Sequence, residues 1–257
     1  MRLLLNDIDP TVTALGTADD GEALARLYAY PARNGRPWVR ANMVATLDGA
    51  AAGHDGKSGS INTTADREVF TLLRALADVI VVGAGTARAE AYRRPRVRQA
   101  HRTTVRAGRP PHPALAVVTR TAHLPPLLAA DDPAAGPVLM VTCSHAGAPA
   151  IEAARHTLGS EQVIVAGEST VELSVAVREL HRRGLARVLC EGGPHLLRDA
   201  IDAGLLDELC LTVTPLLVAG DQPRIAVGAD VAQSFTLRLL IESQGTLLNR
   251  WVRSTTA

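Results

Sequence analysis

The sequence predicts an α/β fold: a mostly parallel central sheet flanked by helices, with an antiparallel C-terminal strand pair. Three observations carry this. Short apolar runs alternate with segments whose apolar residues recur at helical spacing, the pattern of a parallel sheet covered on both faces. Two of those runs, 79–82 and 188–190, break into glycine turns, Gly83-Ala84-Gly85-Thr86 and Glu191-Gly192-Gly193-Pro194, and each turn leads into a helical pattern. The tail, roughly 234–253, reads as two strands around Gln244-Gly245.

Composition bounds the function before any motif does. The chain has 257 residues, 47% of them apolar, enough to fill a sizeable core. Its formal net charge of +1 favours neither nucleic acid nor a membrane surface, and aromatic residues at 3% are too few for a base-stacking surface. No run approaches the ~18 uninterrupted apolar residues of a membrane span. The stretch from Met1 to Asp9 is too short for a signal h-region. Cys143, Cys190 and Cys210 are widely spaced, lack zinc-ligand spacing and read as reduced, buried small hydrophobes. The expectation is a soluble cytoplasmic protein.

Each element follows in order. Residues 1–36 read as an N-terminal appendage, with a short helix over Asp19–Tyr30 and breaks at Pro31, Asn34, Gly35 and Pro37. Trp38–Thr46 is the first core strand, and the Gly/Ser/Lys/Asp-rich stretch 50–62 is a loop. Thr63 with Asp66 forms a capping box for a helix whose Val69, Leu72, Leu73 and Leu76 share a face. Strand 79–82 and its turn run into a short helix through Thr86 to Glu90. Tyr92–Pro113 is a basic loop with seven arginines and no acid, read as mostly solvated. Strands follow at 114–119, 138–143, 163–166, 187–190 and 208–213. The helices between them are stopped by Gly159, Gly184 and Gly204, and Ser169 with Glu172 forms a second capping box.

The chemistry is sought at the turns. A helix N-terminus presents unpaired N–H groups and the positive end of its dipole, so it suits a phosphate. Two glycine turns at strand ends suggest one nucleotide-sized ligand held between them. The dinucleotide fingerprint itself fails, because Arg88 stands where its third glycine belongs. Arg120, just past a strand end with no acid before Asp131, suits a ribose 2′-phosphate; a solvated surface arginine is the alternative. Asn42 and Thr46 alternate on the first strand and Asp48 follows, a polar set on a strand built for burial, read as a pocket wall. No G-x-S-x-G occurs, so serine-nucleophile chemistry is set aside.

Three ordered stretches combine into a resemblance. N-M-V-A-T-L-D-G (42–49), D-V-I-V-V-G-A-G-T-A-R-A-E (78–90) and V-L-C-E-G-G-P-H-L (188–196), the last with L-L-D-E-L-C-L-T-V-T-P-L-L (205–217), resemble the reductase domain of riboflavin biosynthesis. The resemblance covers about residues 37–253, so the domain is placed at 37–257. It implies a dihydrofolate-reductase-like fold, NADPH as cofactor, and reduction of the ribosyl group of an aminopyrimidinone ribosyl phosphate to ribityl. It also implies a homodimer; the tail strands offer an edge a second copy would pair with or cover. By position it assigns Gly83, Gly85, Thr86, Glu90, Glu191, Gly192, Gly193 and Pro194 to the cofactor, with Arg120 beside them. Asn42, Thr46 and Asp48 fall on the strand facing nicotinamide and substrate, and Asp48 or Glu90 is the candidate to move a proton or orient donors.

The chain departs from the family where Asp-Asn-Pro, then Leu, Thr and Arg would handle the substrate. Here the segment is Glu90-Ala91-Tyr92-Arg93-Arg94-Pro95, with Arg93 or Arg94 as the candidate phosphate contact. That departure keeps two alternatives open, a dihydrofolate- or pteridine-type reductase and a nucleotide-binding module without catalysis. The zinc deaminase signature is absent, no metal is expected, and the partner is a small-molecule substrate.

Overall fold

The computed structural model describes residues 1–16, 20–32 and 35–254. In chain order the elements are β1 (Arg2–Asn6), α1 (Asp20–Leu27), β2 (Trp38–Ala45), α2 (Thr64–Leu76), β3 (Val79–Gly83), α3 (Ala84–Ala89), α4 (Gln99–Thr104), β4 (Ala114–Val118), α5 (Pro126–Ala129) and β5 (Val138–Thr142). There follow α6 (Ala148–Leu158), β6 (Val163–Val165), α7 (Leu173–Arg182), β7 (Arg187–Cys190), α8 (Pro194–Asp202), β8 (Leu206–Val213), β9 (Phe235–Ser243) and β10 (Thr246–Arg253). They build one sheet in the order β1-β9-β10-β8-β2-β7-β3-β4-β5-β6. From β8 to β6 neighbouring strands run parallel; β10, β9 and β1 extend the sheet antiparallel.

Alternation along β3 shows how the layers form. Ile80 and Val82 pack with α1 and α2, through Leu24, Leu27, Leu72 and Leu73, whereas Val79 and Val81 pack with α7 and α8, through Val177, Leu180 and Leu197. The sheet is therefore buried on both faces, as its continuous apolar runs require. The Thr63 side chain accepts the Asp66 N–H and starts α2. Gln244 and Gly245 take φ of 51° and 79°, the left-handed pair of a tight hairpin turn between β9 and β10.

Several expectations change. The described residues of 1–36 do not stand apart: β1 pairs with β9, and Leu24, Leu27 and Tyr28 are 1% exposed or less. The predicted helix start at Asp19 and the break at Asn34 lie outside the described residues. Because β1 covers β9, the tail offers no free edge. The Ser169–Glu172 capping box does not form: Glu172 is itself the N-cap residue of α7, without a side-chain cap bond. The basic loop contains α4, and two of its arginines turn inward. Arg106 donates to the carbonyls of Ala75 and Ala77 and Arg109 to that of Leu76, so both cap the C-terminus of α2.

Buried charge ties the N-terminal segment to the sheet. Glu208 on β8 is fully buried between Arg40 of β2 and Arg250 of β10, with Nε–Oε1 distances of 2.6 and 2.8 Å. Trp38 Nε1 donates to Glu208 Oε2 at 2.9 Å. Arg250 also donates to the carbonyls of Leu27 and Ala29, at the end of α1. Burial alone would raise the Glu208 carboxyl; Arg40 and Arg250 more than offset it and hold it below the ordinary value.

Candidate active site

β3 and β7 are parallel neighbours, with Val81 opposite Cys190, so their C-terminal turns emerge side by side. The Gly83 N–H donates to the Gly192 carbonyl at 2.8 Å. Gly192 takes φ of +83° and the Gly192–Gly193 peptide is cis. A Cβ on Gly193 would sit 2.3 Å from Thr86 Oγ1, closer than packed atoms come, so any larger residue there forces Thr86 to move. Gly193 caps α8 and Pro194 opens it, and the N-terminus of α8 faces the same groove as the first turn of α3.

That groove, 960 Å³, is lined by Gly83, Gly85, Arg88, Arg120, Thr121 and His195 among others. Arg120 lies two residues past the end of β4 and is exposed, joined there by Arg88. Glycines that let backbone approach a diphosphate, a helix start and two cations match what a nicotinamide dinucleotide phosphate requires, so the residues present fit that cofactor.

A smaller pocket of 80 Å³ opens beyond the turns, lined by Asn42, Ser58, Asp66, Phe70, Tyr92 and Glu191 with apolar neighbours. The Glu191 backbone belongs to the second turn, but its carboxylate points into this pocket. Arg74 Nε and Nη2 each donate to it at 2.7 Å, and so does the Tyr92 hydroxyl at 2.7 Å. Burial, then the Glu191 charge, push the Tyr92 phenol well up, so it stays protonated and donates. The Arg74 guanidinium lies 4.2 Å over the Phe70 ring, stiffening the same wall.

The predicted residues separate into those the fold gathers and those it does not. Asn42 lines the pocket. Glu90 accepts the Ser58 N–H at 2.7 Å and pins the 50–62 loop beside the pocket. Asp48 lines neither cavity among the described residues. The Thr46 hydroxyl donates to its Oδ1, and the N–H groups of Val218 and Ala219 donate to its Oδ2 at 3.2 and 2.7 Å. The Thr46 bond first, then Ala219, hold the Asp48 carboxyl below its usual value, and these bonds tie it to the 214–219 loop. Arg94 also leaves the site. Ala91 takes φ of 50°, Tyr92 turns in, Arg93 is exposed, and Arg94 pairs with Asp131 at 3.3 Å in a separate depression.

Two residues at the pocket had no sequence signal as such: Arg74, behind its wall, and Asp66, in its lining. Arg74 lies 117 residues from Glu191, and only tertiary contact joins them. Asp66 was legible as a capping residue, but the fold buries its carboxyl in the pocket wall at 4% exposure. Burial raises that carboxyl, against a hydrogen bond from Thr212. The fold therefore favours its neutral form: the associated stability is complete at acid pH and is lost as pH rises through the raised value. Asp66→Asn is expected to gain thermal stability relative to the parent as pH rises from about 4 to about 8. A melting-temperature difference that stays constant over that range would contradict the assignment.

The parallel sheet with its antiparallel extension and a groove at paired strand-end turns define an α/β protein with a nucleotide-sized site where two neighbouring strands end. Residues 37–251 match the family described as RibD C-terminal domain, and the chain belongs to that family. Its relatives include 2,5-diamino-6-ribosylamino-4(3H)-pyrimidinone 5′-phosphate reductases. That of Archaeoglobus fulgidus is 32% identical over 210 residues, 80% of this chain and 92% of the relative. That of Methanothermobacter thermautotrophicus is 32% identical over 195 residues, 76% and 85%. A pyrimidine reductase-like protein from Corynebacterium diphtheriae superposes with a TM-score of 0.76 at 27% identity, covering 86% of this chain and 93% of that one.

Proposed function

We propose that this oxidoreductase uses NADPH to reduce a ribosylaminopyrimidinone phosphate, the substrate class of its archaeal relatives, converting ribosyl to ribityl in riboflavin biosynthesis. The observation that carries the reading is the direct hydrogen bond between the two glycine turns, which makes one continuous site of strand ends more than 100 residues apart in sequence. Bound there, the cofactor supplies the hydride. The chain's own groups do the rest. The glycine turns admit the diphosphate, Arg88 and Arg120 meet the 2′-phosphate, and Glu191, held by Arg74 and Tyr92, presents a fixed acceptor to the substrate. Hydride reaches a carbon and a proton must reach the adjoining heteroatom. Asp66, whose carboxyl burial raises and which lines the pocket wall, is the candidate for the proton-holding role that the sequence offered to Asp48 or Glu90.

Purified protein supplied with NADPH and the ribosylaminopyrimidinone phosphate is expected to oxidise NADPH in proportion to substrate, followed by loss of its absorbance. Tight NADPH binding without turnover on any pyrimidine or pterin would instead mark a binding module. One observation favours a second substrate: with Arg94 turned away, no cation lines the pocket among the described residues, which suits an unphosphorylated pteridine-type ring. Turnover of dihydrofolate without turnover of the phosphate would select that reading. Arg120→Ala is expected to weaken NADPH about tenfold, about 1.4 kcal/mol, and to leave NADH unchanged. An equal loss for both would remove Arg120 from the 2′-phosphate.

The three cysteines are free and buried, which suits a reducing cytoplasm. A homodimer accords with the family resemblance. Because β1 covers the tail edge, such a dimer would use β1, β6 or a helical face; light scattering measures its mass.

A further inference from the structure

A second cavity lies at the opposite end of the parallel strands from the glycine turns. It opens where β2, β3 and β7 begin and has a volume of 590 Å³. Five arginines line it: Arg36, Arg106, Arg109, Arg183 and Arg187; Asp78 is the one carboxylate in that lining. Asp78 is already engaged, accepting from Arg109 Nη1 at 3.1 Å and from the Arg187 backbone N–H at 2.9 Å. Arg36 pairs with Asp207 at 2.9 Å and Arg183 with Glu179 at 2.7 Å. Counting those two acids, five guanidinium groups still face only three carboxylates.

The imbalance is greatest at the inner wall. Arg106 is 2% exposed and donates to the carbonyls of Pro110, Ala75 and Ala77, all neutral acceptors. Burial first, then Arg109 and Arg187, pull its guanidinium down to about 10. It still carries its charge at neutral pH, at a cost the surrounding groups do not offset. Capping of α2 explains why Arg106 and Arg109 are near this cavity. It does not explain Arg187, whose guanidinium makes no hydrogen bond or ion pair among the described residues.

We propose that this cavity binds the phosphate group of a small phosphorylated molecule, held through its oxygens by Arg106, Arg109 and Arg187. Planar guanidinium groups match phosphate oxygens in pairs, and a dianion would offset the uncompensated charge. The volume falls in the range of small-ligand sites and exceeds what a bare phosphate needs. The site is separate from the groove at the glycine turns and does not depend on the function proposed for that groove.

The test is calorimetric titration of the full chain with sodium pyrophosphate against potassium chloride of matched ionic strength, in the parent, Arg187→Gln and Arg120→Ala. Pyrophosphate is expected to bind the parent at this cavity, to keep that binding phase in Arg120→Ala whatever the groove contributes, and to bind this cavity of Arg187→Gln at least tenfold more weakly. Absence of binding to the parent would overturn the proposal. So would an unchanged affinity in Arg187→Gln, or a loss in Arg120→Ala alone, which would place the ion in the groove. Hydrogen exchange on the unaltered protein gives the same decision without relying on a variant that folds. Pyrophosphate should protect amides at 105–110 and 183–187, and protection confined to 83–90 and 191–197 would refute the site.

Discussion

Gly193→Ala is expected to fold and to lose cofactor affinity by about tenfold or more, close to 1.4 kcal/mol. Gly193 has φ of −67°, which alanine adopts without strain, so the backbone does not object. The obstacle is Thr86 Oγ1, 2.3 Å from the new Cβ. Relief requires α3 and α8 to separate, at the roughly 1–3 kcal/mol typical of overpacking, and that opens the groove where both turns must meet the ligand. The double variant isolates the cause. With Thr86→Ala the oxygen is gone and the next contact is Thr86 Cβ at 3.7 Å, an ordinary separation. Gly193→Ala should then add nothing to Thr86→Ala, and the two losses should be strongly non-additive. Additive losses would mean that Gly193 acts through something other than its contact with Thr86.

The second large effect is on stability. Glu208→Gln leaves Arg40 and Arg250 buried without their carboxylate, and breaking such a group costs about 3–5 kcal/mol. For a chain of this size that is a fall of roughly 10 °C in melting temperature. The pH dependence has a definite sign. The Glu208 carboxyl lies below its ordinary value in the fold, so its contribution is full above the unfolded-state value of about 4.3 and fades as pH falls through the lower folded value. The gap between parent and variant should therefore narrow only under acid conditions. Since Arg250 also holds the carbonyls that end α1, limited proteolysis of the variant should cut first within residues 1–36. Equal melting curves at neutral pH would show that the arginines find other partners.

Periodicity made most elements readable. Alternating faces in β3, helical spacing in α2 and the Gln244-Gly245 turn are local signals, and the structure follows them. The two glycine turns were legible for the same reason, since tight turns are written in a few adjacent residues, and the structure brings them together at one groove. The 1–36 stretch misled because a five-residue edge strand has little pattern of its own; its identity comes from β9, more than 230 residues away. Asp48, Arg93 and Arg94 do not line the pocket among the described residues, because polarity on a strand or loop does not say which way a side chain faces.

By itself the sequence determined the class of fold, the place of the two turns and the small residues they demand, because backbone conformation and hydrophobic period are local properties. Only the tertiary structure decided that Glu191 faces Arg74 and Tyr92, that Asp66 is buried, that Glu208 bridges two arginines and that five arginines share one cavity. Those facts depend on dielectric surroundings and on distances between groups far apart along the chain, and both are set only when the sheet assembles.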